Sequence, residues 1–232
     1  TDASGNARWD AAPSGWWGLT GNSGTNPVTQ FIGTTDAQDF IIRTNNVEQW
    51  KFSNTWGIIL WKSNSVVALD VSYIIGDTNT FSGTTGLIFG RNNILSWGIL
   101  TVWNDMVIGS DNDVSTNYGP VIVIGANNTR YGSWGIVSGQ NNNVTNGDNV
   151  AVFWSYNIVG GHNATVIGFG NDLPYGNENI LLGNGNYIRN DVHNSVLVGY
   201  GNGLEWTGFE FERLAMGIYN FSHGDKSITL GS

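Results

Sequence analysis

The sequence predicts an all-β chain folded as a narrow parallel β-roll, a solenoid of repeats about 15 residues long. Three observations predict it. A Gly-x-x-Asn motif recurs behind short apolar runs along most of the chain. The composition pairs 33 glycines and about 30 asparagines with abundant Val and Ile, and only 12% of residues are charged, against roughly 25% in ordinary globular domains. Several apolar runs, such as Val121-Ile122-Val123-Ile124, do not alternate with polar residues.

Gly and Asn tolerate positive φ and so suit tight turns, while β-branched residues suit strands. Long helices are nearly excluded; only Phe211 to Met216 has helix-like content. A unit of about 15 residues has no room for a helix, a strand and two turns. It has room for two short strands and two turns, stacked as in other repeat architectures.

Taken in order, residues 1–56 form a small N-terminal β connector module, 57–202 the repeating roll, and 203–232 a C-terminal cap or tip. Within the roll the turn pairs are Gly76/Asn79, Gly90/Asn93, Gly109/Asn112, Gly125/Asn128, Gly139/Asn142, Gly168/Asn171, Gly183/Asn186 and Gly199/Asn202. Two coils carry Trp61 and Trp154 where Gly is expected. Stacked asparagines can hydrogen-bond along the axis and satisfy turn backbone groups. A second set, Asn149, Asn163, Asn179 and Asn194, precedes the apolar runs and places Asn at the opposite corner as well. After Asn202 the Gly-x-x-Asn pattern is expected to stop, and the aromatic-rich segment that follows to close the last coil.

The continuous runs imply burial on both faces of the strand. One face fills the roll. The other needs a cover, and with no helices to supply it the simplest cover is another copy of the chain. Ten coils at about 4.8 Å spacing make a rod of roughly 45 Å.

The formal charge of −9 leaves no basic patch for nucleic acid or for an anionic membrane surface. No apolar run approaches the roughly 18 residues of a membrane span, so no direct membrane insertion is expected. Without cysteine there is no disulfide, thiolate chemistry or Cys-based metal site. His162, His193 and His223 have no metal-ligand spacing; the first two fall at repeat corners and read as turn residues. No nucleophile elbow or zinc-protease motif is present, and the glycine-rich turns precede no helix that would bind phosphate. The chain is expected to be no enzyme and to need no cofactor or metal. Asp111 and Asp113 are the nearest approach to calcium ligands, without an EF-type loop.

Asn194-Ser195-Val196-Leu197-Val198-Gly199-Tyr200-Gly201-Asn202 resembles the repeat of YadA-like heads of trimeric autotransporter adhesins, which are left-handed parallel β-rolls, and Asn163-Ala164-Thr165-Val166-Ile167-Gly168 is similar. The likeness covers roughly 57–202. It departs in having Asn where the heads have small residues after Gly, in the inserted Trp, and in the uneven spacing between 90 and 109. Trp17-Gly18-Leu19-Thr20-Gly21-Asn22, continuing to Pro27, then Phe31-Ile32-Gly33-Thr34-Thr35-Asp36 and Phe40 to Asn46, resembles a module of long bacterial and phage-like tail fibres, including the trimeric adhesive fibres of predatory bacteria. These likenesses imply a homotrimeric fibre segment, extracellular, at a cell surface or on a virion tail. They also imply that Ser227 to Ser232 is the stub before a self-cleaving chaperone; a boundary chosen at that point reads the same.

Function is then expected to be adhesion to cell-surface glycans or to another receptor on prey or host, with avidity from three sites. The chain has 11 tryptophans. Trp103, Trp154, Tyr156 and Trp206 are the candidate ligand-binding residues, because exposed aromatic rings stack on sugars. The competing reading has them cap the roll or pack between chains. Trp103-Asn104-Asp105-Met106-Val107-Ile108-Gly109 parallels Trp154-Ser155-Tyr156-Asn157-Ile158-Val159-Gly160, which predicts equivalent corners for the two tryptophans. Two alternatives stand beside adhesion. One is a fibre spacer with no ligand. The other is a tailspike-type glycan hydrolase using two of Glu205, Glu210 and Glu212 as its acid pair; a solvated acidic surface is the competing reading of those residues.

Overall fold

A computed structural model describes residues 23–29, 31–54, 57–60, 63–68, 72–83, 85–97, 104–116, 119–189, 192–205, 210–222 and 226–231. The chain is a parallel β-solenoid of about 15 residues per coil. Each coil contributes one strand to a long sheet and one to a shorter sheet facing it. The long sheet has 14 strands and the short one 11. The N-terminal strands β1 (Phe40–Thr44) and β2 (Val47–Ser53) form an antiparallel hairpin. It joins the long sheet through antiparallel pairing of β2 with β3 (Gly57–Leu60), the first strand of the roll. From β3 onward every pairing is parallel and in register, as between Val121–Ala126 and Gly135–Gln140.

Register stacks equivalent residues into columns. Inside the long sheet run Ile74, Ile88, Val107, Val123, Val137, Val152, Val166, Leu181, Leu197 and Ala215, all without solvent exposure. Phe81, Leu95, Val114, Val144, Val159, Leu173, Ile188 and Leu204 face them from the short sheet. Each fully buried aliphatic contributes roughly 1.5–3 kcal/mol. Arg130 interrupts the second column between Val114 and Val144. Its guanidinium is buried and donates to the carbonyls of Tyr131 and Ser133 at 2.6 and 3.0 Å.

The apolar runs divide by alternation. Val121 and Val123 point inward, Ile122 and Ile124 outward. The outward residues of the long sheet make two continuous columns. One runs Tyr73, Leu87, Met106, Ile122, Ile136 and on to Ile228; the other runs Ile75, Phe89, Ile108, Ile124 and on to Leu230. Ser138 and Thr165 are the hydroxyl residues that break their apolar character.

The corner after each long-sheet strand explains the repeat motif. The column glycines, from Gly76 to Gly217, take φ between 123° and 140°. A Cβ on any of them would overlap the backbone carbonyl of the next coil, so close stacking itself requires glycine. Two residues later the chain enters the left-handed region, at Thr78, Asn92, Asp111, Asn127 and Asn141 with φ from 53° to 58°. The next residue is the ladder asparagine. Asn128 shows the pattern: its Nδ2 donates to Asn112 Oδ1 at 2.9 Å and to the Gly139 carbonyl at 3.0 Å. Its Oδ1 accepts both the backbone N–H and the Nδ2 of Asn142. The ladder runs from Asn64 to Asn220, with bonds from each member to the next. All four hydrogen-bonding capacities of the amide are used, which offsets the cost of burying so polar a residue.

The expected stacking of the motif asparagines along the axis is present, with burial added to it, and two other expectations are corrected below. Asn79, Asn93, Asn171, Asn186 and Asn202 have no solvent exposure, and Asn112, Asn128 and Asn142 have almost none. None of them takes the positive φ for which Asn suits a turn; the residue before each does. These positions select Asn for its buried amide. Asn93 Nδ2 donates to Asn79 Oδ1 and to the Gly109 carbonyl. Asn171 Nδ2 does the same to Asn157 Oδ1 and the Gly183 carbonyl, and Asn186 Nδ2 to Asn171 Oδ1 and the Gly199 carbonyl.

The Gly-x-x-Asn pattern does not stop at Asn202: Gly217 stacks on Gly199, and Asn220 bonds to Asn202. The stretch expected to be helix-like is β-structure, with Phe211 in a short strand beside Val192–His193 and Leu214–Ile218 in the long sheet. Neighbouring coils supply strand partners there, and tertiary pairing overrides local propensity.

Candidate functional site

The glycine column has one exception among the described residues. Trp154 pairs with Gly139 on one side and Gly168 on the other, so it occupies the glycine position, as its sequence register predicts. Its φ is 87°, rotated from the glycine values yet still in the region that favours glycine. For a bulky residue this conformation costs of order 1–3 kcal/mol. Its carbonyl still receives the Asn142 Nδ2 at 2.7 Å, so the ladder passes through it intact. The side chain is 69% exposed, so burial in this chain does not offset the strain.

Tyr156 follows in the left-handed position of the same corner, at φ 61° and 54% exposed. On the next coil Phe169 meets it with ring centroids 5.1 Å apart. Tyr200 and Tyr219 make a second pair at the same corner, 5.2 Å apart and edge-on. A hydrogen bond with Tyr200 pushes the Tyr219 phenol above its ordinary pKa. Upstream, the same corner carries Asp77, Arg91 and Asp111. From Trp154 to Tyr219 the corresponding positions carry no charge.

Trp154 and Tyr156 therefore come together at one exposed corner. Trp103 and Trp206 lie outside the described residues. The expected equivalence of Trp103 with Trp154 rests on the first of these and lies outside the described residues as well. Phe169, Tyr200 and Tyr219 belong to this corner and were not singled out by sequence reasoning. Counting from each column glycine to the next two positions would have found them.

The opposite corner holds a different ladder. Backbone N–H groups of Ser133, Asp148, His162 and Asn177 donate to side chains of Asp148, His162, Asn177 and His193 respectively, at 2.7 to 3.3 Å. His162 and His193 each accept through Nδ1, as turn residues do. His223 lies outside the described residues. Asn149, Asn163 and Asn194 share the left-handed column there, but Asn179 does not: Glu178 holds that position, and Asn179 is buried one residue further on.

Asp111 Oδ1 accepts from Asn92 Nδ2, and Asp113 Oδ2 from the Tyr131 hydroxyl. No cluster of His, Asp or Glu suited to a metal ion occurs among the described residues, and no helix among them is long and apolar enough to cross a membrane. Glu205 lies 3.6 Å from Arg189, and Glu212 lies 4.0 Å from Lys226. Glu210 lies in the short strand beside Val192–His193. At the N-terminal end a cleft of about 380 Å³ opens between the hairpin and the first coil, lined by Val47, Glu48, Ile59 and Val66 among others.

Inside the roll, Asp105 is almost fully buried and accepts from the Val121 N–H at 2.7 Å and the Thr116 hydroxyl at 2.9 Å. Desolvation is the largest influence on it and pushes its carboxyl up to about 6. Burial likewise lowers the Arg130 guanidinium to about 10, against the pull of Asp148 and Asp105. Neither group reaches the surface.

No protein-family model matches the chain, and no curated protein matches it either.

Proposed function

We propose that the chain is a segment of an extracellular homotrimeric fibre that recognises glycans or other ligands on a cell surface. The observation that carries the trimer is the outer face of the long sheet, where two apolar columns run from the first coils to Leu230 with polar breaks only at Ser138 and Thr165. An apolar patch of that length on a monomer marks an interaction site. Because the columns run parallel to the axis and repeat with the coils, an identical rod in parallel orientation matches them coil for coil. The resemblance to YadA-like heads and tail fibres favours three copies around the axis.

Recognition is supported by the exposed corner at Trp154. A strained residue whose side chain is largely exposed is the kind of rule violation that function retains. Three copies of a shallow aromatic site on one rod would gain strength by avidity rather than by a deep pocket.

The test is a glycan-array screen of the purified chain run beside its mass by light scattering. A trimer that binds a discrete sugar class, with binding lost in Trp154→Ala, supports the adhesin. A trimer that binds no surface ligand favours the spacer. Release of shorter sugars from a bound glycan, abolished by Glu205→Gln or Glu210→Gln, favours the hydrolase.

A further inference from the structure

The two aromatic pairs lie on one corner, with glycine and one asparagine between them. Along the corner the left-handed position reads Tyr156, Gly170, Gly185, Gly201 and Tyr219. In the upstream coils Asn92, Asp111, Asn127 and Asn141 hold the same conformation. The backbone therefore does not demand glycine at 170 and 185. A Cβ added at either would meet nothing within 4 Å, so packing does not demand glycine either. What glycine does there is leave the surface bare. At Gly201 the bare surface is covered by the Tyr219 ring, which a Cβ would overlap.

The result is an open trough along the fibre axis. Trp154, Tyr156 and Phe169 stand at one end and Tyr200 and Tyr219 at the other, with Gly170 and Gly185 as floor and exposed Asn184 midway. It spans four coil steps, about 19 Å at the strand spacing of a sheet. We propose that this trough binds a linear, uncharged oligosaccharide laid parallel to the rod, with sugar rings stacked on the aromatic pair at each end and a hydrogen bond to Asn184 between them. The inference rests on the glycan-recognition reading above and adds its class, orientation and length.

Three features select this occupant. Aromatic faces with a few placed polar groups suit ring-shaped ligands that are apolar on their faces and polar at their edges. The two corner columns carry no charge from Trp154 onward, and the chain's net charge of −9 disfavours an acidic polymer. The two aromatic pairs are separated along the coils by bare backbone at Gly170 and Gly185, an arrangement that suits an extended chain rather than a single unit.

The test is calorimetric titration of the intact chain with neutral glucose and N-acetylglucosamine oligomers, from monomer to hexamer. The expected result is affinity that rises at least tenfold once the oligomer bridges both pairs and then levels off. Gly185→Asn should cost the longer oligomers about tenfold while leaving the melting temperature unchanged, since Asn already adopts this conformation at three upstream coils. Phe169→Ala should reduce binding without altering the mass. Affinity independent of chain length would overturn the proposal, as would wild-type binding by Gly185→Asn, or a Phe169→Ala variant that changes the mass instead of the binding. Binding to none of these oligomers also overturns it; a positive array result with another sugar class would leave the adhesin reading standing without the trough.

Discussion

The outer faces of the two sheets share a backbone, a register and a coil length, yet they differ in chemistry. On the long sheet, outward positions are Leu, Ile, Val, Met and aromatic residues with few breaks. On the short sheet, aligned outward positions read Thr80, Ile94, Asp113, Thr129, Asn143, Ile158, Asp172 and Tyr187, ending at Gly203 and Phe221, and a neighbouring set reads Val67, Ser82, Ser96, Ser115, Tyr131 and Thr145, so apolar residues are scattered among polar ones. The short sheet is an internal control. It shows that a stable parallel stack tolerates hydroxyls, amides and carboxylates on its outside, so strand pairing alone does not explain the apolar exterior of the other sheet. Burial against another copy of the chain is the explanation proposed above, and the same contrast separates the bare, uncharged corner after Trp154 from the polar corner before it.

The largest effect expected from breaking this comparison is on assembly. Ile124→Asp combined with Ile167→Asp places two charges in the second apolar column and should dissociate the proposed oligomer, whereas Ser115→Asp combined with Thr145→Asp on the short sheet should leave the mass unchanged. Light scattering of both pairs decides it, and equal behaviour would remove the distinction between the faces.

Next in size is a change that both faces share. Asn128→Ala leaves the buried Gly139 carbonyl and the Asn142 amide without their ladder partner and should cost about 2–4 kcal/mol. A urea midpoint within error of wild type would contradict the ladder's role in holding the coils.

A pH effect of about 1–3 kcal/mol is expected from Asp105. Its folded pKa of about 6 lies above the ordinary 3.8, so between those values the folded chain holds a proton that the unfolded chain has released. The contribution favouring the fold is complete below about pH 4 and is lost as pH rises through about 6. Asp105→Asn should flatten that part of the stability profile in denaturant titrations from about pH 4 to 7; an unchanged slope would assign the effect to other groups.

The smallest effect is the most diagnostic for function. Trp154→Gly restores the column residue and should stabilise the chain by about 1 kcal/mol while weakening ligand binding. Stabilisation without a loss of binding would make the tryptophan a tolerated defect.

The roll was legible in the sequence because its constraints are local and repeat. Close stacking forces Gly76 and its counterparts, and the ladder forces Asn79 and its counterparts, so spacing alone reveals the coil. The stacking of Asn93, Asn171 and Asn186 along the axis follows from that spacing, whereas their complete burial does not, because it depends on bonds to coils 14 to 16 residues away. Even the misfit at Trp154 was visible, as a Trp standing at regular spacing where Gly is expected. The last full coil was not, because the aromatic segment between Asn202 and Asn220 masks the motif. Asn179 reads one residue out of register because an Asn at that corner fits either a left-handed or a buried position. The aromatic corner was only partly legible: Tyr200 and Phe169 each follow a column glycine, but their partnership depends on which coils are neighbours. The buried pair Asp105 and Arg130 gave no motif at all; only alternation along their strands points them inward.

The most direct test of the central claim is the mass of the chain in solution. Three times the 25.1 kDa of one chain is the predicted result, persisting on dilution because the apolar columns are then covered along the whole rod. A stable mass of one chain, or of two, would contradict the trimer, and a monomer would leave the outer face of the long sheet without the copies proposed to cover it.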